Sequence, residues 1–361
     1  MTASYHPADT VLRPEDDYAL VTPIGDPEVA ETFNTWVYDG DSNTGFNFYP
    51  MSTPGRMEIG ITVFLPDGRI ARAACGNAAE FTDPAHPASQ YAAMNCLEPF
   101  RRWACSVRDM PVWITDDAAN SSRSASDTDP TTTISFDAEL TMPAPPWING
   151  ALLPESRQTL DERVGGWFSN RLAEGFSPLA FRYDSLVEGR GEIRFEGQVF
   201  PFSGQGVKGH VRGVRRLAGM NGHTWAEGYS PDGRRGFGVS MFPREGGGYT
   251  HSEGFLFQDG KVYPARVIFV PHAPRDPSRQ QFVFELACDE LGLVRILAEE
   301  MRAFWWNIDQ WGSWRTTSDA AMPTIAFGYN GTAAMIMRQG VARFTWEDDG
   351  SVGHGILEQS G

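Results

Sequence analysis

Turn signals punctuate this chain from end to end: Asp39-Gly40, Pro66-Asp67-Gly68, Glu196-Gly197, Pro231-Asp232-Gly233, Asp259-Gly260 and Asp348-Asp349-Gly350. Between them lie short runs rich in aromatic and β-branched residues, among them Thr32–Tyr38, Gly45–Tyr49, Met57–Leu65, Thr131–Thr141, Gly191–Phe195, Gln198–Phe202 and Gly254–Gln258. Several alternate apolar with polar residues, the period of a strand and not of a helix. Such runs pair as antiparallel strands joined by tight turns, so an all-β chain is predicted. One stretch departs from this period. Leu160, Val164, Trp167, Phe168 and Leu172 fall at helical spacing, which predicts a small helical insertion near 155–175, either a lid on a cavity or a helix packed on a barrel mouth. Ile296–Trp306 fits a strand or a short helix equally well.

A chain of 361 residues can form two domains of ordinary size. The strand plan divides into two similar meanders, each the pattern of a sandwich or an up-and-down barrel. The expected units are 1–203, carrying the insertion, and 204–361. Residues 1–28, rich in Pro, Asp and Thr, read as an arm laid over the surface.

Lys and Arg total 30 against 46 Asp and Glu, a formal charge of −16. That balance argues against a nucleic-acid or anionic-membrane partner and favours a small molecule. The four cysteines show no CxxC pair, so the reading is free thiols with no structural metal. The first residues lack a basic region followed by an apolar core, and no window reaches the length of a membrane span, so a cytoplasmic protein, monomer or homodimer, is expected.

The densest stretch runs from Phe202 to Glu253 and holds three of the seven histidines. A Gly-rich entry (Gly204, Gly206, Gly209) leads to His210, Arg212, Arg215 and Arg216. His223-x-Trp225-x-Glu227 follows, then Tyr249-x-His251-x-Glu253. Gly204-x-Gly206 leads into more strand, so a dinucleotide loop fails on context, and GxSxG and HExxH are absent.

With its paired strands before a Gly-Gln-Gly entry and its His-x-Arg-Gly element, followed by a Trp strand and a Pro-Asp-Gly turn, the segment Gly189–Trp225 resembles the AttH-like and hydroxyneurosporene synthase (carotenoid 1,2-hydratase) group. Asn34-Thr35-Trp36, Phe64–Arg69, Leu97–Trp103 and Ala342–Glu347 are similar to the corresponding family segments. The family's central element reads Arg-Asp-His-Ser/Asn-Trp-Gly. Here it reads Lys208-Gly209-His210-Val211-Arg212-Gly213, matching at the His and the final Gly and departing at Gly209 and Arg212. The resemblance implies two tandem lipocalin-like antiparallel β-barrels and a hydrophobic small-molecule substrate, isoprenoid or aromatic. It further implies a cofactor-independent hydratase, lyase, isomerase or cyclase.

Hydrating or isomerising an unactivated alkene needs an acid to protonate carbon, a wall that stabilises the cation and a base that orients water. Period two puts His223, Trp225 and Glu227 on one face of a strand, and Tyr249, His251 and Glu253 on one face of another. If the strands are neighbours and these faces form a barrel lumen, the two triplets line one pocket. Glu227 or Glu253 would be the acid, with His223 or His251 as its partner. His210 stands as a base or as a structural plug between the barrels. Trp36, Trp225, Trp305, Trp306 and Arg212 are the expected substrate contacts; core packing is the alternative for the tryptophans, as salt bridges are for Arg212. A carrier that only sequesters a hydrophobic ligand would need the cavity but not the His-Glu pairs.

Overall fold

The computed structural model describes residues 12–22, 29–73, 78–116, 123–124, 130, 132–150, 152–153, 180–213, 221–244, 246–308, 325–327 and 332–361. Their strands are β1 (Ala30–Asp39), β2 (Thr44–Thr53), β3 (Arg56–Phe64), β4 (Arg69–Ala73), β5 (Ala79–Glu80), β6 (Ala92–Glu98), β7 (Arg102–Asp116), β8 (Arg123–Ser124), β9 (Thr132–Thr141), β10 (Trp147–Ile148) and β11 (Ala180–Phe195). They continue with β12 (Gln198–Gly213), β13 (His223–Tyr229), β14 (Arg235–Pro243), β15 (Tyr249–Gln258), β16 (Lys261–Phe269), β17 (Gln281–Cys288), β18 (Gly292–Ile308), β19 (Ile325–Phe327), β20 (Met335–Trp346) and β21 (Val352–Ser360).

Eight of these strands close a first ring, β11-β12-β1-β2-β3-β4-β7-β9 and back to β11. Eight close a second, β13-β14-β15-β16-β17-β18-β20-β21 and back to β13. The fold is therefore all-β, as the punctuation predicts, and forms two closed eight-stranded antiparallel barrels in tandem, as the resemblance implies. Ring closure leaves no long free edge on either sheet. The turn signals act where expected: Glu196 and Gly197 have φ of 49° and 75°, and Asp259 and Gly260 have 47° and 81°, the left-handed pair of a two-residue hairpin.

Two expectations change, and one open reading resolves to a strand. Strand β12 crosses the expected boundary at 203/204 and stays in the first sheet to Gly213, paired with β1 on one side and β11 on the other. Its glycines belong to the ladder: a Cβ at Gly206 would lie 1.8 Å from the Trp36 carbonyl oxygen. The N-terminal arm is not laid over the surface along Leu12–Thr22, where Asp16 and Asp17, in a 3₁₀ turn over Pro14–Asp17, are 1% and 0% exposed. Ile296–Trp306 lies within one strand, β18, whose register shifts between Glu300 and Arg302. The insertion predicted near 155–175 lies outside the described residues. Among the described residues no helix is long and apolar enough to cross a membrane, and Cys96, Cys105 and Cys288 are free thiols.

Both interiors are filled by their own side chains. Phe33, Phe46, Phe48, Trp103 and Phe136 are among those packing the first, and Phe237, Phe282, Phe284, Phe344 and Trp346 the second. A third cluster lies between the barrels, with Trp36, Tyr38, Phe64 and Val207 from one and Trp225, Phe304, Val341 and Ile356 from the other. Each such side chain contributes about 1.5–3 kcal/mol by leaving water. Arg302 pins the layer, its guanidinium donating to the carbonyls of Leu65 (2.8 Å), Gly68 (2.8 Å) and Arg69 (3.0 Å).

Candidate active site between the barrels

Strand β13 is buried along its whole length. Ala226 belongs to the interior of the second barrel, so the alternation sends His223, Trp225 and Glu227 outward, against the first barrel. In β15, Leu256 points inward and Phe255 outward, which places His251 and Glu253 on the outer face too. The two triplets thus share a face as predicted, but it is the inter-barrel face and not a lumen. Their strands are not neighbours either: β14 separates them. Register aligns Trp225 with Ser240 and Ser240 with Glu253. Phe242 sits between the two histidine rings, at centroid distances of 6.0 Å from His223 and 5.9 Å from His251.

The two glutamates have different surroundings. Glu253 accepts hydrogen bonds from Trp147 Nε1 (2.8 Å), Gly150 N (2.8 Å) and Leu153 N (3.2 Å), while His251 Nε2 lies 2.8 Å from Asn149 Oδ1. A carboxylate holding three N–H donors is an anchor, here for the segment that begins at β10. Tyr249, at the start of β15, is 37% exposed.

Glu227 is buried with one bond, from Trp225 Nε1 at 2.7 Å, and among the described residues its Oε2 has no partner. Across the layer, Asp184 of β11 is 1% exposed, accepts Arg182 Nε at 2.9 Å through Oδ2, and has an equally unpartnered Oδ1. Burial raises the Glu227 carboxyl well above the usual range, and the charge of Asp184 raises it further. Asp184 is also raised by burial, against the pull of Arg182. The pair therefore holds its proton on Glu227 and its charge on Asp184, beside the guanidinium. That guanidinium also stacks on Trp225, 4.5 Å from the ring centroid. Gly209, paired with Asp184, leaves the space between them: a Cβ there would lie 2.6 Å from Asp184 Oδ1 and 3.4 Å from Trp225.

His223 completes this side of the layer. Its Nε2 is 2.7 Å from Glu358 Oε1 and its Nδ1 2.6 Å from Ser360 Oγ. Glu358 also accepts from the Gln339 amide. Burial raises Glu358, but the bond and charge of His223 outweigh it and hold the carboxyl low.

His210 and Arg212 lie elsewhere. With Lys208 they face the interior of the first barrel, where His210 stacks on Phe33 at 4.1 Å between centroids. Asp17 enters from the arm and accepts Lys208 Nζ (2.7 Å), Phe100 N (2.6 Å), Trp103 Nε1 (2.8 Å) and the Tyr183 hydroxyl. Tyr183 Oη lies 2.9 Å from His210 Nδ1, His210 Nε2 lies 3.0 Å from Glu31 Oε1, and Arg212 Nε donates to the same oxygen at 2.7 Å. Burial lowers His210 to about 4 although Glu31 pulls it up. Burial would raise Glu31, but Arg212 and His210 bring it down to about 2. His210 is thus a neutral imidazole inside one barrel, not a plug between two. Arg212 carries the ion pair that the sequence offered as its alternative.

Trp36, Trp225 and Trp306 all reach the inter-barrel layer. Trp305 points to the opposite face from Trp306 and lies under the Arg338 guanidinium, 5.4 Å from it. Arg215 and Arg216 fall outside the described residues. Asp184, Arg182 and Glu358 were not singled out from the sequence. The alternation Arg182-Tyr183-Asp184, an ion pair straddling an aromatic in a strand, was the available signal. A surface cleft of about 770 Å³, on β6, β7, β9 and β11, contains none of the predicted residues. Among the described residues no three His, Cys, Asp or Glu side chains converge as a metal site requires.

No protein-family model matches the chain, and no curated protein matches it. Solved structures do resemble it. NE1406 of Nitrosomonas europaea, described as an AttH, superposes with a TM-score of 0.53 at 12% identity, covering 95% of this chain and 99% of that one. CghA in complex with Sch210972 gives 0.50 at 12% identity, over 97% and 95%. The likeness extends over both barrels and is one of fold.

Proposed function

We propose that the layer between the barrels is the active site of a hydratase, dehydratase, isomerase or cyclase, in which Glu227 is the acid acting on a hydrophobic substrate. The observation that carries this is the carboxyl pair: Glu227 is fully buried against Asp184, its carboxyl raised by that burial and then by the Asp184 charge, and its Oε2 has no partner among the described residues. A buried protonated carboxyl beside an aromatic wall is what protonation of an alkene requires. In the hydration direction, the Glu227 O–H bond breaks as a C–H bond forms. The cation left on the neighbouring carbon is stabilised by the face of Trp225, and water adds to it. The released proton passes to the carboxylate pair, which restores Glu227. In a cyclisation or isomerisation the cation is instead quenched by a second double bond or by loss of a proton.

A similar structure, CghA, has been solved with Sch210972, which supports a bound ligand for this fold. His223, both of whose ring nitrogens are engaged, is assigned to positioning Glu358 and not to taking the water proton.

Incubating the full chain in H₂¹⁸O with extracts of hydrophobic metabolites tests this by mass spectrometry. A product heavier by one labelled water marks hydration, and an isobaric product marks isomerisation or cyclisation. Neither should appear with Glu227→Gln. Full turnover by Glu227→Gln would overturn the assignment.

A further inference from the structure

We propose that Trp147–Gly150, with Leu152 and Leu153, form a strap that opens to admit substrate to the layer, and that Glu253 is its latch. This rests on reading the layer as the substrate site. Asp184, Glu227 and Trp225 are 1%, 1% and 2% exposed, so a substrate reaches the acid only after something moves. A barrel wall parts only by breaking a run of ladder hydrogen bonds, and β11 pairs with β12 over the whole of Ala180–Phe195. The barrels are held to each other by the cluster around Trp36, Phe64, Trp225 and Phe304 and by the three Arg302 bonds. The moving part has therefore to come from outside the two rings. Among the described elements outside them, β10 is the one paired with β11, the strand that carries Arg182 and Asp184.

The strap is attached along both edges. On the first barrel, Trp147 pairs with Asp184 and Ile148 with Tyr183, and Asn149 N donates to the Arg182 carbonyl at 3.1 Å. On the second, Trp147 Nε1, Gly150 N and Leu153 N converge on the Glu253 carboxylate, and Asn149 Oδ1 lies 2.8 Å from His251 Nε2. One charged acceptor thus gathers three donors, so loosening it frees the segment in one step. Trp147 and Asp184, opposite each other in the ladder, share a face of the sheet. The indole therefore closes the layer beside the acid pair, packed on Phe255 at 5.1 Å between ring centroids. Once it swings away, Ser240 lies on the path inward, aligned between Glu253 and Trp225. Gly150 turns the closed strap with φ of 85°, a conformation that glycine adopts without strain and other residues do not.

The test uses the full chain carrying Ser240→Cys, which puts a thiol in the layer at a position 1% exposed. Methyl methanethiosulfonate is added, and peptide mass spectrometry follows labelling at position 240 beside that of Cys105 and Cys288, which lie in the first and second barrel interiors. In this background Glu253→Gln should speed labelling at position 240 about tenfold, the equivalent of about 1.4 kcal/mol, as the latch changes from a charged to a neutral acceptor. Asn149→Ala, which removes the bond to His251, and Gly150→Ala, strained in the closed form, should each speed it about threefold to tenfold. Cys105 and Cys288 should keep their rates. A rate at position 240 unmoved by both Asn149→Ala and Gly150→Ala overturns the strap, since a gain confined to Glu253→Gln reports only the charge lost beside the thiol. Equal gains at all three thiols overturn it too, because the rings are then loosening together. If Glu253→Gln does not fold, the other two variants decide. Labelling does not depend on turnover, so its failure removes the strap and leaves the Glu227 assignment standing. Full turnover by Glu227→Gln removes that assignment, and with it the strap's role in admitting substrate, whatever the labelling rates.

Discussion

Glu227 and Glu253 occupy equivalent places in two similar triplets, each two residues after a histidine-aromatic neighbourhood, on the same face of one sheet. One carboxyl holds three N–H donors from the other barrel's polypeptide, and the other holds one donor and faces a second acid. The strand pattern is the same; the partner across the layer differs. Sequence periodicity reports which side chains share a face, whereas ionisation state is set by what lies opposite, and that comes from residues far along the chain.

The largest expected effect separates the two. Glu227→Gln should lower kcat by about 10²–10⁴ with the fold kept, the range for losing a general acid. Glu253→Gln should leave kcat within about tenfold, because the amide still accepts hydrogen bonds. Equal losses in steady-state assays of the two variants would erase the distinction between acid and anchor. The next effect reverses the order. Glu253→Ala leaves Trp147 Nε1, Gly150 N and Leu153 N without their acceptor, and should cost about 3–5 kcal/mol in denaturant unfolding. Glu227→Ala removes a carboxyl with a single bond and should cost about half as much or less.

A smaller effect concerns the space between the acids. Gly209→Ala would bring a Cβ within 2.6 Å of Asp184 Oδ1 and close to Trp225. Asp184 has to rotate or the strands have to part, at about 1–3 kcal/mol. Because the displaced charge adds to burial in raising the Glu227 carboxyl, the alkaline limb of the rate profile, where the acid loses its proton, should shift along with the stability. A variant with altered stability and an unmoved profile would detach Asp184 from the acid.

Much of the architecture was legible in the chain. Asp-Gly and Glu-Gly turns fixed where strands end, and alternation placed His223, Trp225 and Glu227 together. What alternation cannot decide is which face is a lumen when both are buried. In β13 every residue is covered, Thr224 and Ala226 by the second barrel's core and Trp225 and Glu227 by the first barrel. The pocket-lining faces were therefore assigned to the wrong side. Strand adjacency failed for a related reason: β14, with Gly236, Gly238 and Ser240 on its outer face, has little side chain to announce it. Asp184 and Glu31 were missed because each is a single acid in a strand, and its partner, Glu227 or His210, is supplied by another part of the sheet system.

The smallest effect is one of slope, and it sets the layer against the first barrel's interior. Glu227 has a folded-state pKa raised above its ordinary value of 4.5 by burial and by Asp184. Its proton therefore stabilises the fold below pH 4.5, and that contribution is lost as pH rises through the folded value. Glu31 and His210 run the other way. Glu31, lowered from 4.5 to about 2, contributes stability above pH 4.5 that is lost as pH falls toward 2. His210, lowered from 6.5 to about 4 by burial, contributes stability above pH 6.5 that is lost as pH falls toward 4. Measured by denaturant unfolding across pH, Glu227→Gln should gain on the unaltered chain steadily as pH rises above 4.5. His210→Gln should instead lessen the acid-side loss between pH 6.5 and 4. A difference between Glu227→Gln and the unaltered chain that does not change with pH would mean that Glu227 is ionised in the folded protein, and the layer would then hold an anion pair and not an acid.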